Sequence, residues 1–168
     1  MKQIIQNYST GVLELAEVPV PLCSTNNILV RNMASLVSIG TERSVIELGQ
    51  KSLLGKARAR PDLVKRFADK AKKEGLLKTF QEALGRLDTP TALGYSSAGV
   101  VEEAGKNIHK VSPNDRVACI GAGYASHASY IKVPENLCCR IPENVSFEEA
   151  SFGMLGIIAL HGIRCARL

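Results

Sequence analysis

The sequence has no tryptophan, and Phe, Tyr and Trp together make up only 5% of it. Surfaces on which bases could stack are therefore scarce, which argues against a nucleic-acid partner bound through interleaved aromatic and basic side chains. Long apolar runs are lacking too. The longest, Phe152 to Leu160, contains glycine and falls short of the roughly 20 residues that a membrane span requires. Met1 to Tyr8 holds a single lysine and no long apolar region, so it does not read as a secretory signal. No membrane partner is expected.

Cysteine is present, but not in a pattern that binds metal or frames disulfides. The five Cys stand at 23, 119, 138, 139 and 165, and none forms a C-x-x-C pair. Cys138 and Cys139 are adjacent on an expected strand, so their side chains point to opposite faces and cannot simply share an ion. An odd number of scattered thiols fits a reducing, cytoplasmic setting. Their expected role is that of small buried hydrophobes.

Charge is concentrated. Residues 51–78 hold ten Lys/Arg and three acids, a balance of +7, although the whole chain carries only +5. The same segment has helical periodicity. Leu63, Val64, Phe67, Ala68 and Ala71 form one apolar stripe, and Leu76, Leu77, Phe80, Ala83, Leu84 and Leu87 form another. The spacing predicts two amphipathic helices over 53–87, with Pro61 in a first turn and Gly75 at the junction. Their basic residues lie on the polar face of an amphipathic helix, which is usually solvated, so a nucleic-acid surface is disfavoured.

On either side of these helices the sequence reads as short strands punctuated by Gly, Pro and Asn. Gly11 to Val20, Ile28 to Met33, Ser97 to Glu102, Arg116 to Ile120, Ser129 to Val133 and Cys138 to Ile141 are the candidates. They predict a mainly β domain, a barrel or sandwich, with the helices as an insertion. After it, Ser146 and Glu149 have capping-box spacing. A last helix is expected from about Leu155 to Leu168, with the chain stopping inside it.

Four segments, in order, resemble the zinc-type alcohol dehydrogenase superfamily of medium-chain dehydrogenases/reductases. V-S-I-G-T-E-R at 37–43 is similar to its C-G-T-D segment, and L-G-Y-S-S-A-G-V-V at 93–101 to its G-H-E-x-x-G-x-V. P-N-D-R-V-A at 113–118 is similar to its G-D-R-V, and F-E-E-A-S-F-G-M-L-G-I-I-A-L-H-G-I at 147–163 to the helix that leads into its nucleotide-binding domain. The resemblance implies a GroES-like, partly open β-barrel over 1–150, with 53–87 inserted and 151–168 starting the connection to a Rossmann domain absent from this chain. The variant I-G-T-E-R at 39–43 and the helical insertion resemble a bacterial bi-domain oxidoreductase branch, which implies polysaccharide or nucleotide-sugar metabolism.

Gly121 and Gly123 mimic part of a dinucleotide fingerprint. That fingerprint cradles pyrophosphate only where a helix follows it, and here a strand is expected next.

The resemblance also implies which residues face the cleft. At the three catalytic zinc positions stand Ile39, Tyr95 and Met154. Isoleucine has no donor atom, and a phenol and a thioether are poor Zn²⁺ ligands. The structural-zinc cysteines are missing after the 116–120 strand. The expected metal is therefore none.

Thr41 falls where the family relays a substrate proton through a hydroxyl, with Ser38 beside it. Tyr95 could hydrogen-bond a carbonyl oxygen or merely fill the vacated space. Gly40, Glu42, Arg43, Ser96 and His127 are candidate substrate or cofactor contacts; Glu42 could equally brace a turn. His109 reads as exposed and His161 as structural.

The implied function is the substrate domain of a zinc-independent, NAD(P)(H)-dependent oxidoreductase acting on a carbonyl, alcohol or activated alkene. Its cofactor would be bound mainly by the absent domain, and the fragment alone would be inactive. The alternative is a non-catalytic binding or scaffolding module on a dehydrogenase-derived fold. The basic insertion is expected either to wall a cleft for a small anionic substrate, to remain a surface hairpin, or to form a contact in a homo-oligomer.

Overall fold

The computed structural model describes Met1–Arg167, the side chains of Leu84 and Arg86 excepted. Two compact units divide the chain. One comprises Met1–Ile4, Leu15–Val37 and Ala92 onward; the other comprises Ile5–Glu14 and Ser38–Thr91.

The first unit is built on an antiparallel five-stranded sheet of order β7-β3-β5-β6-β8, formed by β3 (Asn27–Ser35), β5 (Ser96–Ala104), β6 (Arg116–Ile120), β7 (Tyr130–Pro134) and β8 (Cys138–Arg140). The register places Val30 opposite both Val101 and Ile131, and Ile28 opposite both Ala104 and Val133. Alternate residues thus put one apolar face into the core. Ile28, Val30, Val101, Val117, Cys119, Ile131 and Val133 bury that face together with Val111 and Ala125. A second, smaller core of Ala98, Ala118 and Ile141 takes in Val145, Phe147 and Ala150. A further sheet has the order β2-β1-β4, from β1 (Lys2–Gln6), β2 (Leu13–Glu17) and β4 (Thr91–Ala92). The open sheets agree with the expected GroES-like barrel that does not close.

Two helices follow the sheet, a single turn and a longer one. In α5 (Phe147–Ala150) the capping box is present as its spacing predicts. Ser146 Oγ accepts from Glu149 N–H at 3.1 Å, and Glu149 Oε2 accepts from Ser146 N–H at 2.8 Å. The last helix, α6 (Gly153–Ala166), does not run off the end of the chain as expected. Arg167 adopts a left-handed conformation (φ 55°) and donates its N–H to Ile163 O and Arg164 O.

The second unit is helical: α1 (Ile39–Gln50), α2 (Leu53–Ala59), α3 (Pro61–Glu74) and α4 (Leu76–Asp88). The inserted segment therefore holds three helices, not the expected two. Arg60 closes α2 and opens α3, because Pro61 has no N–H to continue the first helix and its ring is suited to begin the second. Helix α1 lies N-terminal to the insertion, over a stretch read only as a cleft motif. With α5 and α6, helix covers more residues than strand, although the sheets hold the core.

The thiols divide by place. Cys119 is fully buried, and burial raises its thiol pKa well above the ordinary value. Cys138, half-buried opposite it on β8, is pushed up to about 11 by the same cause. Cys139 and Cys165 are exposed, against the expectation that the cysteines are core residues. Among the described residues no helix is long and apolar enough to cross a membrane.

Candidate functional site

The candidate residues fall into the two units, and each group has its own geometry. In the helical unit, Ser38 is the N-cap of α1, but its hydroxyl makes no capping bond. The capping is done by Glu42, which is buried. Its Oε1 accepts from Ser38 N–H at 2.9 Å, while Glu42 N–H donates to Ser38 O at 2.9 Å. A carboxylate one turn into the helix also complements the positive end of the helix dipole. The arrangement makes Glu42 a brace for the turn.

Around this brace, Ile39, Gly40 and Thr41 are exposed. The Thr41 hydroxyl has no partner among the described residues. Arg43 is exposed and engages Glu47 one turn on, Nε to Oε1 at 2.7 Å, an ion pair that raises its own pKa and lowers that of Glu47. Solvent screens such a pair, so it can open to an anion at little cost.

In the β unit, the segment Leu93–Tyr95 is clamped to the loop after β6. His127 N–H donates to Leu93 O at 2.8 Å, and Gly121 N–H donates to Tyr95 O at 2.8 Å. Gly94 has φ +95°, and a Cβ there would lie 2.7 Å from the His127 backbone nitrogen, so both conformation and space require glycine. The half-buried Tyr95 is thus fixed at its backbone on both sides. Its phenol has no partner among the described residues.

The Ser96 hydroxyl is committed within the fold. It donates to Ser151 O at 2.6 Å and accepts from Met154 N–H at 3.2 Å. This ties β5 to the first turn of α6, where the third zinc-equivalent position lies. His127 is buried, and its Nδ1 is hydrogen-bonded to Ser35 Oγ at 2.9 Å.

Ser35, Asn32 and His127 line a recess of about 310 Å³ together with Lys2, Ser129 and Met33. Asn32 Nδ2 donates to Ser126 O and Ala128 O at 3.1 and 2.8 Å, and its buried Oδ1 has no hydrogen-bond partner among the described residues. The sequence reading found His127 but neither Ser35 nor Asn32. They meet His127 through the edge of the β3–β7 ladder, a pairing that no local motif announces. Chemically the recess offers a hydroxyl–imidazole pair and a vacant amide acceptor.

The donor set for a metal is poor. The resemblance assigns Ile39, Tyr95 and Met154 to the catalytic-zinc positions, and no group of three or more His, Cys, Asp or Glu able to hold an ion occurs among the described residues. Gly121 and Gly123 lie between β6 and β7, so a strand follows them and no helix N-terminus is offered to a pyrophosphate.

Residues 72–143 match the model of the alcohol dehydrogenase GroES-like domain. That span includes Tyr95, Ser96 and His127 but not the Ser38–Arg43 turn. Over 61 residues the chain is 41% identical to a highly reducing polyketide synthase of Gibberella fujikuroi, covering 36% of this chain and 2% of the synthase. Over 84 residues it is 34% identical to a zinc-type alcohol dehydrogenase-like protein of Staphylococcus aureus, 48% of this chain and 25% of that one. Among solved structures, the Escherichia coli quinone oxidoreductase complexed with NADPH superposes with a TM-score of 0.66 at 18% identity, covering 98% of this chain and 40% of that one. The chain therefore spans well under half the length of these relatives. Residues 72–143 are thus similar to an alcohol dehydrogenase GroES-like domain, and the fold is like that of part of the quinone oxidoreductase.

Proposed function

We propose that this chain is the substrate-binding part of a zinc-independent, NAD(P)(H)-dependent oxidoreductase acting on a carbonyl, an alcohol or an activated alkene. The reading rests on the similarity of residues 72–143 to a GroES-like domain, taken with Ile39, Tyr95 and Met154 at the positions that the family resemblance assigns to the catalytic-zinc ligands. An oxidoreductase without the metal needs another means of polarising the substrate oxygen, and Tyr95 supplies a phenol with an unused hydroxyl. Its carbonyl accepts from Gly121 N–H, which holds the backbone from which the ring projects. In the helical unit, Thr41, whose hydroxyl has no partner among the described residues, is a separate candidate for proton relay.

The Gly121–Gly123 loop is followed by a strand and offers no helix N-terminus to a pyrophosphate, which supports a nucleotide bound mainly by a further domain. When bound, it would supply the hydride; this domain would bind and orient the substrate and hydrogen-bond its oxygen. Similarity to a quinone oxidoreductase solved with NADPH, and to polyketide synthases named as highly reducing, supports the redox reading. The apolar surface of α6, with Ile157, Ile158, Leu160 and Ile163 about half exposed, supports a covering domain in the whole protein.

The test uses the full-length protein. Loss of reduced-nicotinamide absorbance is followed with a quinone, an enone and an aldehyde, after elemental analysis for zinc. Turnover is expected without stoichiometric zinc and should withstand a chelator. Tyr95→Phe should lower kcat by about 100-fold if the phenol acts in proton donation or polarisation. An unchanged kcat would leave Tyr95 as a packing residue. No turnover with any acceptor class would favour the binding-module reading.

A further inference from the structure

The helical unit forms a partly open cavity of about 710 Å³ that the reaction proposed above does not use. Its size lies within the range of small-molecule sites, roughly 300–1,000 Å³. Its wall is mostly apolar, with Leu53, Leu63, Val64 and Phe67 among the lining side chains. Leu63 and Val64 remain 45% exposed and Leu53 56% exposed, so this wall is open to an incoming apolar group. Removing it from water is favourable in proportion to the area covered.

Two of the four cations lining the same cavity, Lys56 and Arg66, have no acidic partner among the described residues. Lys56 donates to Tyr8 O at 2.6 Å, an uncharged acceptor, and keeps two of its three donors. Arg66 makes no hydrogen bond or ion pair among the described residues. The other lining cations differ: Arg60 is paired with Asp62, and Lys70 with Glu74 and Glu82. An occupant must therefore cover apolar wall and bring negative charge to Lys56 and Arg66.

We infer that this cavity binds a free, single-chain amphipathic anion: an alkyl or acyl chain against Leu53, Leu63, Val64 and Phe67, and a phosphate or carboxylate head at Lys56 and Arg66. A neutral apolar ligand would leave the two cations without a counter-charge. A compact anion such as inorganic phosphate would leave the apolar wall wet. The site stands on the helical unit alone and does not depend on the redox reading.

Calorimetric titration of the full chain with dodecyl phosphate, kept below its micelle concentration, tests this. Dodecanol and butyl phosphate serve as comparisons. Dodecyl phosphate should bind saturably at one per chain, and butyl phosphate at least about 100-fold more weakly, since each buried methylene adds about 0.8 kcal/mol. Lys56→Met and Arg66→Gln should each weaken dodecyl phosphate by about tenfold, the scale of one charge-assisted contact, and leave dodecanol unaffected. Val64→Asp, at an exposed position where circular dichroism can verify folding, should weaken both long-chain ligands.

Equal binding of dodecanol and dodecyl phosphate, insensitive to the two cation variants, would overturn the proposal. So would self-association that occludes the cavity, or binding confined to phosphatidylglycerol vesicles with none to the monomeric amphiphile.

Discussion

The Ser96 hydroxyl sits in a residue only 1% exposed, donates to Ser151 O and accepts from Met154 N–H. Read from the sequence, it stands in the place of the glutamate of a zinc-family motif and invites a role toward substrate. In the fold its hydrogen-bonding capacity is spent on joining β5 to α6. Ser96→Ala should therefore leave a buried N–H and carbonyl unsatisfied and lower the free energy of unfolding by about 1–3 kcal/mol, measured by urea denaturation. A substrate role would instead show as a changed KM at unchanged stability. The contrast with Tyr95 is instructive, because there only the backbone is committed and the hydroxyl remains available. Residue types at a motif position were legible; which of their atoms are already engaged was not, because the partners Ser151 and Met154 lie more than fifty residues away.

Among the elements, the junction of α3 and α4 depends on one backbone conformation. Gly75 has φ +94° and ψ 145°, a region closed to residues with a side chain, and a Cβ there would meet nothing within 4 Å. Gly75→Ala should cost about 1–3 kcal/mol from backbone strain alone. Gly85, inside α4 and equally uncrowded, has ordinary helical geometry. Gly85→Ala should stabilise the same helix by roughly 0.5–1 kcal/mol. Thermal unfolding followed by circular dichroism would read the two opposite signs; equal signs would show that the junction is not set by Gly75. This junction was legible in the sequence, as were Pro61 and the Ser146–Glu149 cap, since each has a strictly local cause. Helix α1 was not. Its brace joins Ser38 to Glu42 at a spacing of four, whereas the recognised capping box has a spacing of three, and its first residues read as a cleft motif. The strands of the large sheet were found within a residue or two from their punctuation, but their order β7-β3-β5-β6-β8 is a tertiary property.

Across the whole molecule, the two units are stabilised differently. Every buried hydrophobic side chain among the described residues lies in the β unit, while α2 and α3 bury none. Hydrophobic burial is the main favourable term in folding, and helices of this length are marginal in water without packing. The helical unit instead relies on half-buried contacts and on exposed ion pairs such as Lys70–Glu82 and Arg60–Asp62. The latter holds the Asp62 carboxyl at about 2, through the hydrogen bonds from Arg60. Such pairs contribute little and weaken in salt. Native-state hydrogen exchange should therefore separate the units, with β3, β5 and β6 exchanging only through global unfolding and α2 and α3 through local opening that is faster by orders of magnitude. A ligand that binds the folded helical cavity must slow exchange in α2 and α3 and leave the sheet unchanged, because stabilisation by binding acts on the opening that destroys the site. Protection by dodecyl phosphate confined to those helices would connect the uneven stability to the amphiphile site. Uniform protection across both units, or none, would separate the two.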